Sequence, residues 1–281
     1  MDLFELFLQE RTYLKGVSLA TLRYYLGVRR AFGSILANPT KEGMLECIQR
    51  QLASGVSAIS VNAYLRGLKA YVRWLHAEGY AKEILRVQFL KAERKVLATF
   101  NAEQVQRIVK YRPAGKNFTR AHTAMLVMLD SGLRVSECLG LRREDIDLDN
   151  LILRVRGKGN KHRLVPMSIE LRRALFRFCG KHSTGQYVFS TARATKVSNR
   201  NLARDMKLLC ERIGITGVRC SPHTLRHTMA VSYLRAGGNL FYLSKILGHT
   251  SVTTTEKYLQ SLGVEDLLAV HDRLTLLNPG R

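Results

Sequence analysis

One pattern limits the fold of this chain more than any other. Nearly everywhere the apolar residues return at the helical spacing, and in one place only do they alternate as strands do. Leu3, Phe4, Phe7 and Leu8 make the first helical face. Ser18 can cap a second helix carrying Leu22, Tyr25, Leu26 and Val28, with Phe32 extending its apolar side. Thr40, with Gly43 shortly after, then Met44, Leu45, Ile48 and Leu52, describes a third helix ending near Gly55. A fourth runs from about Ser57 through Tyr64, Leu65, Leu68, Tyr71, Val72 and Leu75 to Gly79. The exception is a short strand pair, 151–155 and 163–165, joined by Gly157-Lys158-Gly159-Asn160, where Gly159-Asn160 supplies the positive φ of a tight hairpin. Around it, helices are expected near 102–111, 118–131, 168–181, 199–213, 222–237, 239–247, 251–260 and 264–275. The pattern predicts a mainly α chain with a small antiparallel sheet.

The 281 residues are enough for two domains, and a 46% hydrophobic content excludes wholesale disorder. Residues 82–98 are charged and lack a sustained apolar stripe, which predicts a helical domain over 1–90, a linker over 91–99 and a second domain over 100–281. Charge then narrows the partner. Lysine and arginine number 45 against 22 acids, a net charge of +23, more than an enzyme of small anionic metabolites needs. A phosphate polymer or an anionic membrane suits such a surface, and nucleic acid is the expected partner. No apolar run is long enough to cross a membrane, and the first residues lack the basic start of a signal peptide. Five scattered cysteines, Cys47, Cys138, Cys179, Cys210 and Cys220, read as reduced thiols of a cytoplasmic protein. The excess is +7 over residues 1–95, where the polar side of the fourth helix carries Asn62, Arg66, Lys69 and Arg73. That side is either a solvated surface or a phosphate-contacting face.

Four short stretches carry chemistry. In Ser131-Gly132-Leu133-Arg134-Val135-Ser136-Glu137, Gly132 can end one helix and Arg134 begin the next, where an arginine beside backbone N–H groups can hold a phosphate; the alternative is a pair with Glu137. Lys158 and Lys161 sit on the hairpin tip, able to enter a groove or simply exposed, and the P-loop spacing is missing. In Pro222-His223-Thr224-Leu225-Arg226-His227, His223 and Arg226 share a helical face. His223 and His227 also have the spacing of a zinc pair, but no glutamate lies between them, so no metal is expected. In Leu247-Gly248-His249-Thr250-Ser251, Gly248 ends a helix and His249 lies in the turn before a short helix bearing Tyr258. A tyrosine there is ordinarily a packing residue; it matters only if the histidines and arginines converge on it.

Taken in order, Arg134, Lys158, His223-x-x-Arg226, His249 and, nine residues on, Tyr258 resemble the active-site set of the tyrosine recombinases, the phage integrase family. The resemblance spans essentially the whole chain and implies a helical core-binding domain followed by an α+β catalytic domain. It implies site-specific recombination of double-stranded DNA by a homotetramer on two duplexes, through a 3′-phosphotyrosyl intermediate and a Holliday junction. No carboxylate cluster able to hold magnesium lies near the basic motifs; Asp145, Asp147 and Asp149 read as the solvent side of a short strand or turn. That leaves covalent catalysis without cofactor, metal or ATP. By the resemblance, Tyr258 is the nucleophile, and Arg134 and Arg226 grip the non-bridging oxygens. Lys158 protonates the leaving 5′ oxygen, with Lys161 as its alternate. His223 takes the tyrosine proton or bonds the phosphate, His249 donates to the phosphate, Glu137 orients the cluster, and His227 is structural. The terminal helix, with Val264, Leu267, Leu268 and Leu274, either packs on its own domain or docks on a neighbouring protomer. The hairpin is Xer-like, yet Tyr258 is followed by Leu259-Gln260-Ser261 where Xer proteins usually have Thr-His. This favours a recombinase of a mobile element, acting on the nucleoid, over Xer-like resolution of chromosome or plasmid dimers. A non-catalytic DNA-binding protein of the same fold would show losses in the active-site set, and none is visible.

Overall fold

The computed structural model describes residues 2–92, 98–157, 162–182 and 185–274. They fall into two compact units, Met1–Lys95 and Val96–Arg281.

The first unit is built from α1 (Leu3–Tyr13), α2 (Leu19–Phe32), α3 (Lys41–Ala53) and α4 (Ala58–Ala77). Asp2, Ser18, Thr40 and Ser57 cap these helices by accepting from amides of the first turn. Phe4, Phe7, Phe32, Tyr71 and Trp74 fill the core, with the Phe7 ring edge-on to Tyr71 at 5.4 Å. The Trp74 indole donates to the Glu10 carboxylate. Three leucines expected on apolar faces, Leu26, Leu45 and Leu52, are exposed instead. Short helices bury a narrower stripe than the sequence offers, and Val28, Met44, Cys47 and Ile48 occupy it. The chain after α4 lies on this core without regular structure, burying Val87 and packing Leu85 and Leu90. Asn62 corrects a prediction: it is buried, donating to the Leu90 carbonyl at 2.9 Å and accepting from the Leu90 amide at 2.8 Å. It clasps this segment to the core rather than lying on an open polar face.

The second unit begins with α5 (Ala102–Lys110), α6 (Lys116–Ser131) and α7 (Val135–Gly140). The strands β1 (Ile146–Asp147), β2 (Ile152–Arg156) and β3 (His162–Pro166) form an antiparallel sheet in that order. Then come α8 (Ile169–His182), α9 (Asn199–Arg212), α10 (Pro222–Arg235), α11 (Leu240–Leu247), α12 (Thr253–Glu256) and α13 (Val264–Leu274). Helix α6 runs through the core, with α8, α9 and α10 packed around it. The expected strand pair is present, with Val155 opposite Arg163 and Leu153 opposite Val165. It starts at Ile152, because Leu151 takes a left-handed φ of 57°. The third strand, β1, lies where the aspartates alternate. Asp145, read as solvent-facing, is buried and accepts from the Arg142 amide at 3.0 Å.

The single helix expected over 251–260 is broken. Helix α12 makes one turn, Tyr258 follows it, and a 3₁₀ turn spans Leu259–Ser261. Three consecutive threonines, Thr253 to Thr255, propagate a helix poorly. Tyr258 thereby joins a small core with Ala230, Val231, Leu234, Leu243 and Leu247. No helix among the described residues is long and apolar enough to cross a membrane.

Candidate active site

Two glycines with left-handed backbone bring the site together. Gly132, φ 64°, ends α6, and a Cβ there would meet the Leu247 side chain at 2.7 Å and Met229 at 2.9 Å. Gly248, φ 64°, ends α11. The carbonyls left open at these two helix ends point at arginines. Arg226 on α10 is buried and donates to the Gly132 carbonyl at 2.6 Å and the Leu247 carbonyl at 2.9 Å. Arg134, the residue before α7, donates to the same Leu247 carbonyl at 3.2 Å and to that of Gly248 at 3.4 Å. The negative ends of two helices thus hold two guanidinium groups side by side. Burial and the neighbouring Arg134 lower the Arg226 guanidinium from its ordinary value, while the Tyr258 hydroxyl and Glu137 act the other way.

Glu137 does what sequence reading offered as the alternative for Arg134, and more. Its carboxylate accepts from the Arg134 amide at 2.8 Å and from Arg134 Nη1 at 2.9 Å. It also accepts a two-pronged contact from Arg163 at 3.0 and 2.9 Å. Burial pushes the Glu137 carboxyl up, but the bonds from Arg163 and Arg134 outweigh it and hold the group below its usual range. Two guanidinium groups therefore share one carboxylate with Arg226 close by, and the surplus positive charge suits an anion. Arg163 was not among the expected residues. Its signal is an arginine sharing a strand face with the buried Val165.

Tyr258 is 4% exposed, and its side chain lies close enough to the Arg226 guanidinium to act on that group's charge. The His227 ring lies 5.2 Å from its ring, the His249 ring 6.3 Å away and nearly parallel, and the Lys257 ammonium 5.1 Å above it. His249 Nε2 is 2.8 Å from Arg226 Nη2, and Nδ1 is 2.8 Å from the Thr255 hydroxyl. Arginine can only donate, so Nε2 accepts and the ring proton sits on Nδ1, facing Thr255. Burial, then Arg226, Arg134, Lys257 and Arg163, pull the His249 imidazole down to about 4. It is neutral at pH 7 and, in this arrangement, accepts from Arg226, where the resemblance implies a donor to the phosphate.

His223 and His227 do not pair. His223 is exposed in the first turn of α10, while His227 is buried with Nε2 3.3 Å from the Ser261 hydroxyl. His227 thus lies in the core, with its ring against that of Tyr258. Lys158 and Lys161 lie outside the described residues; the strands that lead to them end at Arg156 and resume at His162. In the first unit, Arg66 and Arg73 are exposed, and Arg66 and Lys69 stand over the Phe89 ring at 5.8 and 5.4 Å.

A model of the phage integrase family matches residues 98–263. Tyrosine recombinase XerC of Thermodesulfovibrio yellowstonii is 30% identical over 95% of this chain and 94% of its own length. Tyrosine recombinase XerA of Pyrococcus furiosus is 29% identical over 87% of this chain and 85% of its own. Among solved structures, the Tn1549 transposon integrase in complex with transposon right end DNA is 18% identical and covers 98% of this chain and 99% of that one, with a TM-score of 0.76. A λ integrase dimer bound to a core site is also 18% identical and covers 90% of this chain and 95% of that one, with a TM-score of 0.71. The last two likenesses are of fold.

Proposed function

The chain belongs to the phage integrase family and is a tyrosine-type site-specific DNA recombinase, and on that premise we propose that Tyr258 is its nucleophile. The observation that carries this is the place of Tyr258, buried between the His227 and His249 rings beside a cradle with surplus positive charge. The Tyr258 oxygen attacks the scissile phosphorus, the bond to the 5′ oxygen breaks, and a 3′-phosphotyrosyl ester forms. Arg134 and Arg226 hold the non-bridging oxygens and stabilise the charge that builds there. Lys158 gives its proton to the departing 5′ oxygen, with Lys161 as the alternate. His223 takes the proton of the tyrosine or bonds the phosphate. Burial and the surrounding cations keep His249 neutral; a bound phosphate offsets the cations, so His249 gains a proton and donates to it. The ester conserves the bond energy, and a 5′ hydroxyl of another strand reverses the steps. Neither ATP nor a metal is required.

The first unit serves as the core-binding domain, with Arg66, Lys69 and Arg73 toward the DNA backbone, and the second as the catalytic domain. The protein acts on the nucleoid as a homotetramer on two duplexes, through a Holliday junction. Helix α13 docks on the neighbouring protomer: Val264, Leu267 and Leu268 are 73%, 59% and 63% exposed, so its apolar stripe has no cover from its own unit. The role is integration, excision or transposition of a mobile element, supported by Leu259-Gln260-Ser261 after Tyr258. Resolution of chromosome or plasmid dimers is the second reading, favoured by relatives that carry Xer names along nearly the whole chain. Covalent trapping on a nicked suicide substrate tests both levels. The wild-type chain should form an adduct in excess EDTA, and Tyr258→Phe should form none while still binding the site. Normal adduct yield from Tyr258→Phe would reject the nucleophile. Mapping the trapped sites to element ends or to a chromosomal dimer site decides the role.

A further inference from the structure

We propose that Arg163 is a positioning residue for phosphoryl transfer: by occupying Glu137 it keeps Arg134 from closing both prongs on that carboxylate, so that Arg134 can meet the scissile phosphate, and it pins the turn that carries His249. The proposal rests on the reading of Arg134 as a phosphate ligand.

Arg163 projects from β3 and reaches two other elements. Its Nη1 and Nη2 take one Glu137 oxygen each, at 3.0 and 2.9 Å, and its Nε donates to the Ile246 carbonyl at 2.9 Å. The side chain is 15% exposed and the Glu137 side chain 6%. With its fork engaged by the carboxylate, Arg163 is poorly placed to grip a phosphate itself. The guanidinium also lies flat against the backbone at Gly248, where a Cβ would fall 2.8 Å from its central carbon. One side chain thus joins the start of α7, the strand leading from the hairpin, and the turn before His249.

The geometry around Glu137 shows what this joining does. A carboxylate offers about four acceptor directions. Arg163 uses one on each oxygen, and the Arg134 amide uses another. Arg134 gives Glu137 one side-chain bond, from Nη1, its guanidinium otherwise reaching only the Leu247 and Gly248 carbonyls at 3.2 and 3.4 Å, and its side chain stays 41% exposed. Without Arg163, a buried carboxylate would have one cation in reach and would draw in both prongs of Arg134. The residue nearest the phosphate would then be turned away from it. The function of Arg163 is competition for Glu137.

The competition has a signature that lost stability does not. A substrate carrying a methylphosphonate at the scissile position is neutral there and makes little demand on a cation. Full-length wild-type, Arg163→Met, Arg163→Lys, Arg134→Ala and the double variant Arg163→Met/Glu137→Gln are compared for single-turnover cleavage of natural and methylphosphonate forms of one trapped site. Arg163→Met should lose about 10²-fold on the natural substrate. On the methylphosphonate it should fall within about threefold of wild type. The double variant should recover most of the natural activity, because a neutral amide no longer captures Arg134. Arg163→Lys, which keeps the charge without the fork, should lie between, and it serves if Arg163→Met fails to fold. Equal deficits on both substrates with no recovery in the double variant would overturn the proposal, as would wild-type cleavage by Arg163→Met. Arg134→Ala tests the premise separately: if it is not spared on the methylphosphonate, the reading of Arg134 fails rather than that of Arg163.

Discussion

The two units use polar side chains in opposite ways. In the first, Asn62 is the one buried polar residue among those described, and its amide closes a loop onto an aromatic core. In the second, Arg120, Arg226, His227, Asp145 and Asp205 are all buried, and Glu137 is nearly so. Buried charge is costly unless paired, and these charges have partners: Arg120 with Asp205 at 3.8 Å and Glu137 with two arginines. A unit whose polar groups only close its own structure should respond to mutation through stability. A unit that holds unbalanced positive charge and exposed apolar surface should respond through assembly, chemistry and pH.

The largest expected effect is on assembly. A chain ending after Leu262 removes α13, whose apolar face is exposed and whose surface tie is the Arg235–Asp266 pair at 3.1 Å. Such a pair contributes about 0–1 kcal/mol, so the melting temperature should change little. Each buried leucine or valine at a protomer contact contributes roughly 1.5–3 kcal/mol, so cooperative filling of the second half-site should weaken about tenfold or more. Half-site binding should persist. A large drop in melting temperature with cooperativity intact would place the stripe within its own unit.

Acid sensitivity comes next. The folded-state value of His249, about 4, lies below its ordinary 6.5. Between these values the unfolded chain binds the proton more readily. The stability that His249 contributes is therefore complete above 6.5 and is lost as pH falls toward 4. Glu137, also held below its ordinary value, adds loss in the same direction at the acid end. His249→Asn should flatten the decline in melting temperature across that window. An unchanged slope would show that His249 is not the group responsible.

The smallest effect belongs to the first unit. Asn62→Ala frees both backbone groups of Leu90 and should cost about 1–2 kcal/mol by denaturant unfolding. Adduct yield per bound, folded molecule should stay at the wild-type level. A loss of DNA affinity with stability unchanged would instead return Asn62 to the DNA-facing surface.

Much of the fold was legible because period and capping are local. Ser18, Thr40 and Ser57 mark helix starts that follow from one side chain meeting an amide three residues on. Gly132 and Gly248 were readable as helix ends for a similar reason. Less legible was which leucines face inward. Leu26 and Leu45 satisfy the same spacing as Val28 and Met44, and only the neighbouring helix decides between them. Residues 251–260 also misled: Thr253 to Thr255 make one helical turn, but β-branched residues propagate a helix poorly, and it ends at Glu256.

Element types, basic character and the order of the converging residues all follow from the amino-acid sequence. These depend on spacing along the chain and on ionisation, both set residue by residue. Only the tertiary structure decided that Glu137 is shared between Arg134 and Arg163, that Asn62 is a clasp, and that His249 faces Arg226 as an acceptor. Each of these is a choice among partners far apart in sequence. A hydrogen bond to an already engaged group forms only where packing leaves that direction open. That opening is set by helix ends and a strand meeting at one place, which no local pattern encodes.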